Sequence, residues 1–591
     1  MKKLITIALF LLSFECFAYV DCMRLSQGGY DHYHSLEETM NDCSKVGQCQ
    51  VDNSEIIFDY KCTDYYPRVT LGFYSVDLTI LVNGSWGSIA AWLYSNCIEP
   101  HQVYNPELRT CYSAPPLPPI PEKNFGAPCD GVGNPCDPSS GNKYQKETDY
   151  SASNTGLNFL RHYNSGLSNV NNGLGYGWVH HWGTRLDITG SKITIRQSDG
   201  RGESFTLVNG LWQSDADSHL SLTSDTNGYT LQNDQGSSES FDLEGHIISQ
   251  TDQYGKQTQY TYNNLGLVDT VTSPFGHQLS FTYNANKLLD TLTTPDHLIY
   301  HYEYDHLRNL TKVTYPDTSF RQYHYENPTF FHALTGITDE NGDRYATFAY
   351  DTAGKAMVSE HAITSNLAPQ EHFTLNYDSA TQTTVTDAVG TVEVLTFTEN
   401  LGVKSLISRI NQTDNKGIVR QYDANNNLIS TTNAQGISTS YSYNSHNQRM
   451  TTTEATGTAE QRITQTSYLS PELNLPTLIS KPSVLAGESF LTEIQYNPDH
   501  TVKNISLNGY QPDGTAISRV TAYQYNAMGQ LTQIDGPLTA VNDITTLSYY
   551  DCITGSQCGQ LASVTNALGH STQYDLYDNN GRIKQTTSAI G

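Results

Sequence analysis

Leu279-Ser280-Phe281-Thr282-Tyr283-Asn284-Ala285-Asn286-Lys287-Leu288-Leu289-Asp290-Thr291-Leu292 is the stretch that decides the fold. From Leu279 to Tyr283 large apolar side chains alternate with small polar ones, the period of a strand with one buried face. Asn284-Ala285-Asn286 has turn chemistry, Leu288 to Leu292 reads as the return strand, and Thr294-Pro295-Asp296-His297 turns the chain again. The unit is a β-hairpin. A lone hairpin is marginal in water, so neighbours have to stack and bury their Tyr, Phe and Leu faces in one continuous sheet.

The pattern repeats outward from this stretch. Gly255-x6-Tyr262-Asn263, Gly276-x6-Tyr283-Asn284, His297-x6-Tyr304-Asp305 and Thr318-x6-Tyr325-Glu326 advance the Tyr by 21 residues each time. It resumes at Gly436-x6-Tyr443-Asn444, and Tyr350-Asp351, Tyr377-Asp378, Tyr422-Asp423, Tyr496-Asn497, Tyr525-Asn526 and Tyr577-Asp578 carry the same kind of dipeptide at less regular spacing. A long, curling β-sheet over 250–591 is the expected product. Tyr suits a wall wet on one side, because its ring packs while its hydroxyl reaches water or a backbone partner. β propensity alone would explain its abundance but not its recurrence.

Two regions precede the repeats. Residues 19–112 read as a small cysteine-stapled domain in which Leu78 to Val82 runs into Asn83-Gly84, a two-residue hairpin turn with its return strand over Ser88 to Leu93. Pro115, Pro116, Pro118, Pro119 and Pro121 then crowd a linker over 113–124, which is expected as an extended polyproline spacer. Residues 125–249 form a further domain before the repeats.

The Tyr-Asp dipeptides of a 21-residue β repeat resemble the YD repeats of the rearrangement-hotspot (Rhs) proteins, also found in insecticidal toxin complexes and teneurins. A second resemblance lies in Asn134-Pro135-Cys136-Asp137-Pro138-Ser139-Ser140-Gly141-Asn142-Lys143, followed by Thr148-Asp149-Tyr150, Arg161-His162-Tyr163-Asn164-Ser165 and Gly175-Tyr176-Gly177-Trp178. It is similar to the domain that precedes the repeats in bacterial Rhs proteins. The resemblance implies a mainly β fold in which the repeat sheet winds into a hollow shell around a C-terminal toxin segment. The sequence ends at Gly591 after a fresh repeat, Tyr577-Asp578-Asn579-Asn580-Gly581-Arg582-Ile583, without a closing Asp-Pro-x-Gly motif. The family's self-cleavage and toxin activities are therefore assigned to no residue.

The N-terminus reads as an export signal over 1–18: Lys2 and Lys3, an apolar run from Leu4 to Phe14, and Cys16-Phe17-Ala18 before the cut. The run is shorter than the roughly 20 residues of a membrane span. The protein is thus expected to be periplasmic, cell-surface or secreted, with no membrane span after cleavage. Export explains the cysteines. Beyond Cys16 there are ten: Cys22, Cys43, Cys49, Cys62, Cys97, Cys111, Cys129, Cys136, Cys552 and Cys558. With no C-x2-C pair, disulfides are favoured over zinc. Cys129–Cys136 and Cys552–Cys558 bracket turn-rich loops and are the expected local bridges, while the pairing of the rest stays open.

With 33 Lys plus Arg against 60 Asp plus Glu, the net charge is −27, and no basic segment could neutralise successive phosphates, which argues against nucleic-acid binding. His180-His181, beside Trp178 and Trp182, and His32-x-His34 are the His pairs worth testing for metal, though neither has a matched third ligand. Asp305 and Asp351 sit in turn contexts and read as backbone caps rather than catalysts. No G-x-S-x-G elbow, P-loop or H-E-x-x-H occurs, so neither an enzyme nor a cofactor is expected. Two functions fit: the scaffold of a secreted polymorphic toxin enclosing a C-terminal toxin segment, or a surface adhesin whose Tyr- and Asn-rich wall binds envelope glycans.

Overall fold

The structure is a computed structural model that describes residues 18–21, 58–60, 73–82, 85–95, 102–105, 110–113, 120–152, 156–361, 370–552 and 555–588. The chain divides into two units, Met1–Pro116 and Leu117–Gly591. In the first, strands Ala18–Asp21, Ser85–Ser95, Phe73–Val82 and Phe58–Tyr60 lie side by side in that order in an antiparallel sheet, and Gln102–Asn105 pairs with Thr110–Ser113. Val82 pairs with Ser85, so two residues join the strands at the expected Asn83-Gly84, with a return strand longer than the sequence suggested. Most of the signal, Cys22, Cys43, Cys49, Cys62, Cys97, His32 and His34 lie outside the described residues.

The second unit opens with two small sheets, Tyr144–Ala152 with Leu157–Asn164 and Trp178–His180, then Arg185–Thr189 through Leu211–Ser214. A single antiparallel sheet follows. Among the described residues it holds 32 strands in sequence order, from Leu220–Ser224 to Ile583–Ser588. The hairpin over Leu279 to Leu292 is present as Gln278–Tyr283 paired with Leu289–Thr293. The long sheet starts 30 residues before the expected repeat boundary at 250, because Leu220–Thr251 already forms alternating strands joined by Asx turns, only without the Tyr-Asx signature.

The curl has a local cause. The ladder register slips at Thr261/Tyr262, Thr282/Tyr283, Glu303/Tyr304, Gln421/Tyr422, Ser442/Tyr443 and Gln495/Tyr496, so a β-bulge precedes the repeat Tyr again and again. Each bulge bends its strand and adds right-handed twist. Accumulated over many hairpins, this brings the sheet back onto itself. The turn at Asn426 meets Asp217 at 2.7 Å, the Asn474 amide donates to the Asp234 carbonyl at 2.7 Å, and Asn580 and Arg582 reach Asp296. Partners at this seam stand from 209 to 286 residues apart (582 − 296 for Arg582 and Asp296), so one edge of a first winding carries the opposite edge of a second.

Part of the linker departs from expectation. Glu122–Asn124 forms a turn of 3-10 helix, Ile120 packs against Phe125, Leu167 and Val179, and Asn124 accepts from the Lys404 amide at 2.9 Å. From Ile120 onward the segment therefore packs into the second unit, of which it is part, because its apolar side chain and polar turn both find partners there.

Candidate functional site

The repeat signature is a fastening device. The Tyr262 hydroxyl donates to the Ile247 carbonyl at 2.8 Å, Tyr283 to Val268 at 2.9 Å, Tyr304 to Leu289 at 2.9 Å and Tyr443 to Leu428 at 2.9 Å, each 15 residues back. Tyr350, Tyr422 and Tyr577 do the same to Leu334, Leu406 and Leu561. Each hydroxyl thus ties one hairpin to the one before it, which explains why Tyr rather than Phe recurs.

The residue after Tyr caps the turn. Asn263 Oδ1 accepts from the amides of Leu265 and Leu267, Asn284 from Asn286 and Leu288, Asp351 from Ala353 and Lys355, Asp423 from Asn425 and Asn427, Asn444 from His446 and Gln448, and Asp578 from Asn580 and Arg582. Asp305 caps Asn309. At the opposite edge the residue that opens each x6 spacing takes a left-handed conformation: φ is +81° at Gly255, +80° at Gly276 and Gly436, +62° at His297 and +71° at Thr318. The sequence showed the spacing but not this reason for it.

The inner face of the first winding is filled by the domain that precedes the repeats. Phe159 meets Phe281 and Tyr302 with ring centroids 5.7 and 6.2 Å apart, and Trp178 meets Tyr323 at 5.1 Å. Tyr163 donates to the His332 carbonyl, Lys143 lies over the Phe348 ring, Thr383 donates to the Pro138 carbonyl, and Asp130 pairs with Arg420 at 2.7 Å. The domain's contacts run along the sheet from Phe281, which meets Phe159, to Arg420, which meets Asp130. We call this domain the cap.

A fully buried ion pair anchors it. Arg161 grips Asp149 with two hydrogen bonds of 2.6 and 2.8 Å, donates to the Tyr323 hydroxyl at 2.8 Å and faces the Trp178, Tyr302 and Tyr323 rings, while Tyr302 donates to Asp149. Asp149 and Arg161 come from the cap and both Tyr from the sheet. Buried charges of this kind depend on their partners. Lys143, also buried, donates to the Tyr144 carbonyl and to Gln145 Oε1, and burial lowers its amine to about 7. The sequence placed these residues inside a motif without revealing the network.

His180 stacks on Phe159 at 5.5 Å and His181 lies edge-on to Trp182. Burial lowers His180 to about 4, so it packs as a neutral ring, and its Nδ1 has no hydrogen-bond partner. Among the described residues no group of three or more His, Cys, Asp or Glu could hold a metal ion. The cysteines divide. Cys552 and Cys558 are joined as a disulfide, with Cα atoms 4.9 Å apart. Cys129 and Cys136, expected to be bridged, are both free thiols. The tight turn between Val132 and Cys136 and the pairing of Cys136 with Lys143 draw Cys136 into the core, where burial pushes its thiol up to about 11, and Cys129 stays exposed.

Fold and fastening together define a YD-repeat β-shell, a scaffold whose recurrent Tyr and Asx residues hold the wall. Residues 133–205 match a family described as Domain of unknown function (DUF6531), 198–393 match Teneurin YD-shell and 422–459 match RHS Repeat, and the chain belongs to the Rhs/YD-repeat family. Curated proteins give no match. Among solved structures, the crystal structure of TcdB2-TccC3 without its hypervariable C-terminal region is 11% identical, covers 75% of this chain and 30% of its own, and has a TM-score of 0.40. The crystal structure of TcdB2-TccC3 is 11% identical over 87% of this chain and 34% of its own, TM-score 0.35. The Photorhabdus luminescens Tc holotoxin pore is 12% identical over 75% and 29%, TM-score 0.36. The chain spans about a third of the length of these structures.

Proposed function

We propose that this chain is the non-catalytic, wall-forming part of an exported Rhs-type toxin and encloses a C-terminal toxin segment. One observation carries the reading. The cap fills the inner face of the first winding, but beyond Arg420 the same face is left to solvent, with Tyr422, Tyr441, Tyr468 and Tyr523 only half-buried. A wall lined by the cap along its first winding and wet along its second suits holding a polypeptide, and the Tyr and Asx residues are consumed in holding the wall together. The cleavable N-terminal signal supports an exported protein.

The test is the intact mass of the native secreted protein together with limited proteolysis. A mass well above 65.6 kDa, with C-terminal peptides that resist protease until the particle is unfolded, supports enclosure. A mass at or below 65.6 kDa, with the repeats retaining envelope glycans on an array, overturns it in favour of an adhesin.

A further inference from the structure

The charges of the second winding are sorted by face. Cross-strand pairs share a face, so the ladder can be followed from one strand to the next. Thr431 pairs with Arg420 and Thr439, Tyr441 with Thr452, Thr452 with Thr464, and Thr466, Ile479, Thr492, Leu507 and Arg519 follow in turn. Arg462 lies two residues from Thr464, and Lys481 is paired with Phe490, two residues from Thr492. Arg449 is paired with Tyr443 and lies over the Tyr441 ring. Arg420, Arg449, Arg462, Lys481 and Arg519 are therefore on the cap-side face. At the paired positions of these strands that face holds one carboxylate, Glu454, across from Arg462.

The outer face is the opposite. Glu493 pairs with Leu478 and Ser506, Asp535 with Ala522, and Asp575 accepts from Thr587, whereas the other outward paired positions are mostly Ser, Thr, Asn, Gln and aliphatic residues. In a chain of net charge −27 the cations at paired strand positions of this winding are thus gathered on one face, while Lys503 and Lys584 stand apart at unpaired bulge positions. Arg449, Arg462, Lys481 and Arg519 are exposed, and among the described residues no ion pair reaches any of them. Arg420 does have a partner, and it shows what suits this wall: the carboxylate of Asp130, borne on a peptide loop of the cap lying along the same face.

We propose that the cap-side face beyond Arg420 binds an acidic polypeptide segment, its carboxylates taking Arg449, Arg462, Lys481 and Arg519 as Asp130 takes Arg420, and its apolar side chains resting on the intervening Tyr and Ile residues. The interaction continues an interface already present in the structure. Arginine favours it, since its planar fork pairs with carboxylates and stacks on Tyr at once. The inference deepens the enclosure reading and rests on it for where the segment comes from.

The experiment titrates the full chain with a fluorescein-labelled oligoglutamate peptide, and in parallel with oligolysine and a single-stranded oligonucleotide, reading anisotropy at rising salt. Oligoglutamate is expected to bind despite the protein's net negative charge, with affinity falling as salt rises. Arg462→Gln with Arg519→Gln should weaken it about tenfold, and Glu493→Gln on the outer face should not. Unchanged thermal melting shows that the variants are folded. No binding of oligoglutamate, equal binding to the double variant, or tighter binding of the oligonucleotide overturns the proposal. The two readings fail separately. A protease-protected segment that proves basic leaves enclosure standing and removes the acidic partner, whereas oligoglutamate binding without any protected segment does the reverse.

Discussion

The first and second windings are built from the same hairpins, yet the same position has a different fate in each. Phe281, on the strand Gln278–Tyr283, is buried beneath Phe159 of the cap, whereas Tyr441, its counterpart on Ser438–Tyr443, is only half-buried. Leu279, Leu292, Leu310 and Val313 are fully buried, while among the strands past Arg420 Leu475 and Tyr577 are the only hydrophobic residues in the described core. The repeat thus specifies a wall, and what lies against it decides whether its inner face becomes a core. Strand pairing and Tyr–carbonyl bonds suffice to hold the second winding, because they run within the sheet and need nothing inside it.

The buried ion pair gives the hardest test of that contrast. Arg161→Met leaves Asp149 charged and unpaired, and should cost about 3–5 kcal/mol in urea unfolding. Arg449→Met, on the bare face, should stay within about 0.5 kcal/mol. Equal losses at both would mean that the second winding has its own buried filling. Truncation at matched positions sharpens the comparison. Phe281→Ala should destabilise by about 3–5 kcal/mol and Tyr441→Ala by about 1 kcal/mol, measured by the same unfolding curves.

Acidification should act on the cap first. His180 titrates near 4 in the fold against an ordinary 6.5. Between these values the unfolded chain binds a proton that the folded chain does not, so stability falls as pH drops from 6.5 to about 4 and returns as it rises. The loss should be on the order of 1–3 kcal/mol. The protection factors of the amides of Trp178–His180, corrected for the slower intrinsic exchange at low pH, should fall through this window, and His180→Phe should remove His180's share of the dependence.

The smallest effect lies at the turns, where the two windings carry different residues at one position. Thr318 holds φ +71°, unfavourable for a β-branched residue, where the second winding has Gly436 at +80°. Thr318→Gly should raise the melting temperature by the equivalent of about 1 kcal/mol, and Gly436→Thr should lower it by a similar amount. Opposite signs at the two turns would place the effect in the backbone.

How much of this was legible depended on its range along the chain. The hairpin, its turns and the stacking of repeats follow from alternation and from Asn, Asp and Gly at fixed offsets, all within 21 residues. The start of the sheet at Leu220 was missed because its first hairpins lack the Tyr. The Cys129–Cys136 bridge was expected because spacing shows only that two ends can meet, whereas the Val132–Cys136 turn sends the thiol inward. The Asp149–Arg161 network was invisible because its closing partners, Tyr302 and Tyr323, are 153 and 162 residues away.

By itself, then, the sequence determined the wall: its strands, its turns and the Tyr and Asx residues that fasten one hairpin to the next. Only the tertiary structure decided what that wall faces, which residues become core, and that Arg420, Arg449, Arg462, Lys481 and Arg519 share one side. The physical reason is that side-chain alternation is local. The path of the sheet is the sum of many small bends and twists, one bulge after another, and no short stretch of chain shows where that sum will bring Asn580 back against Tyr150.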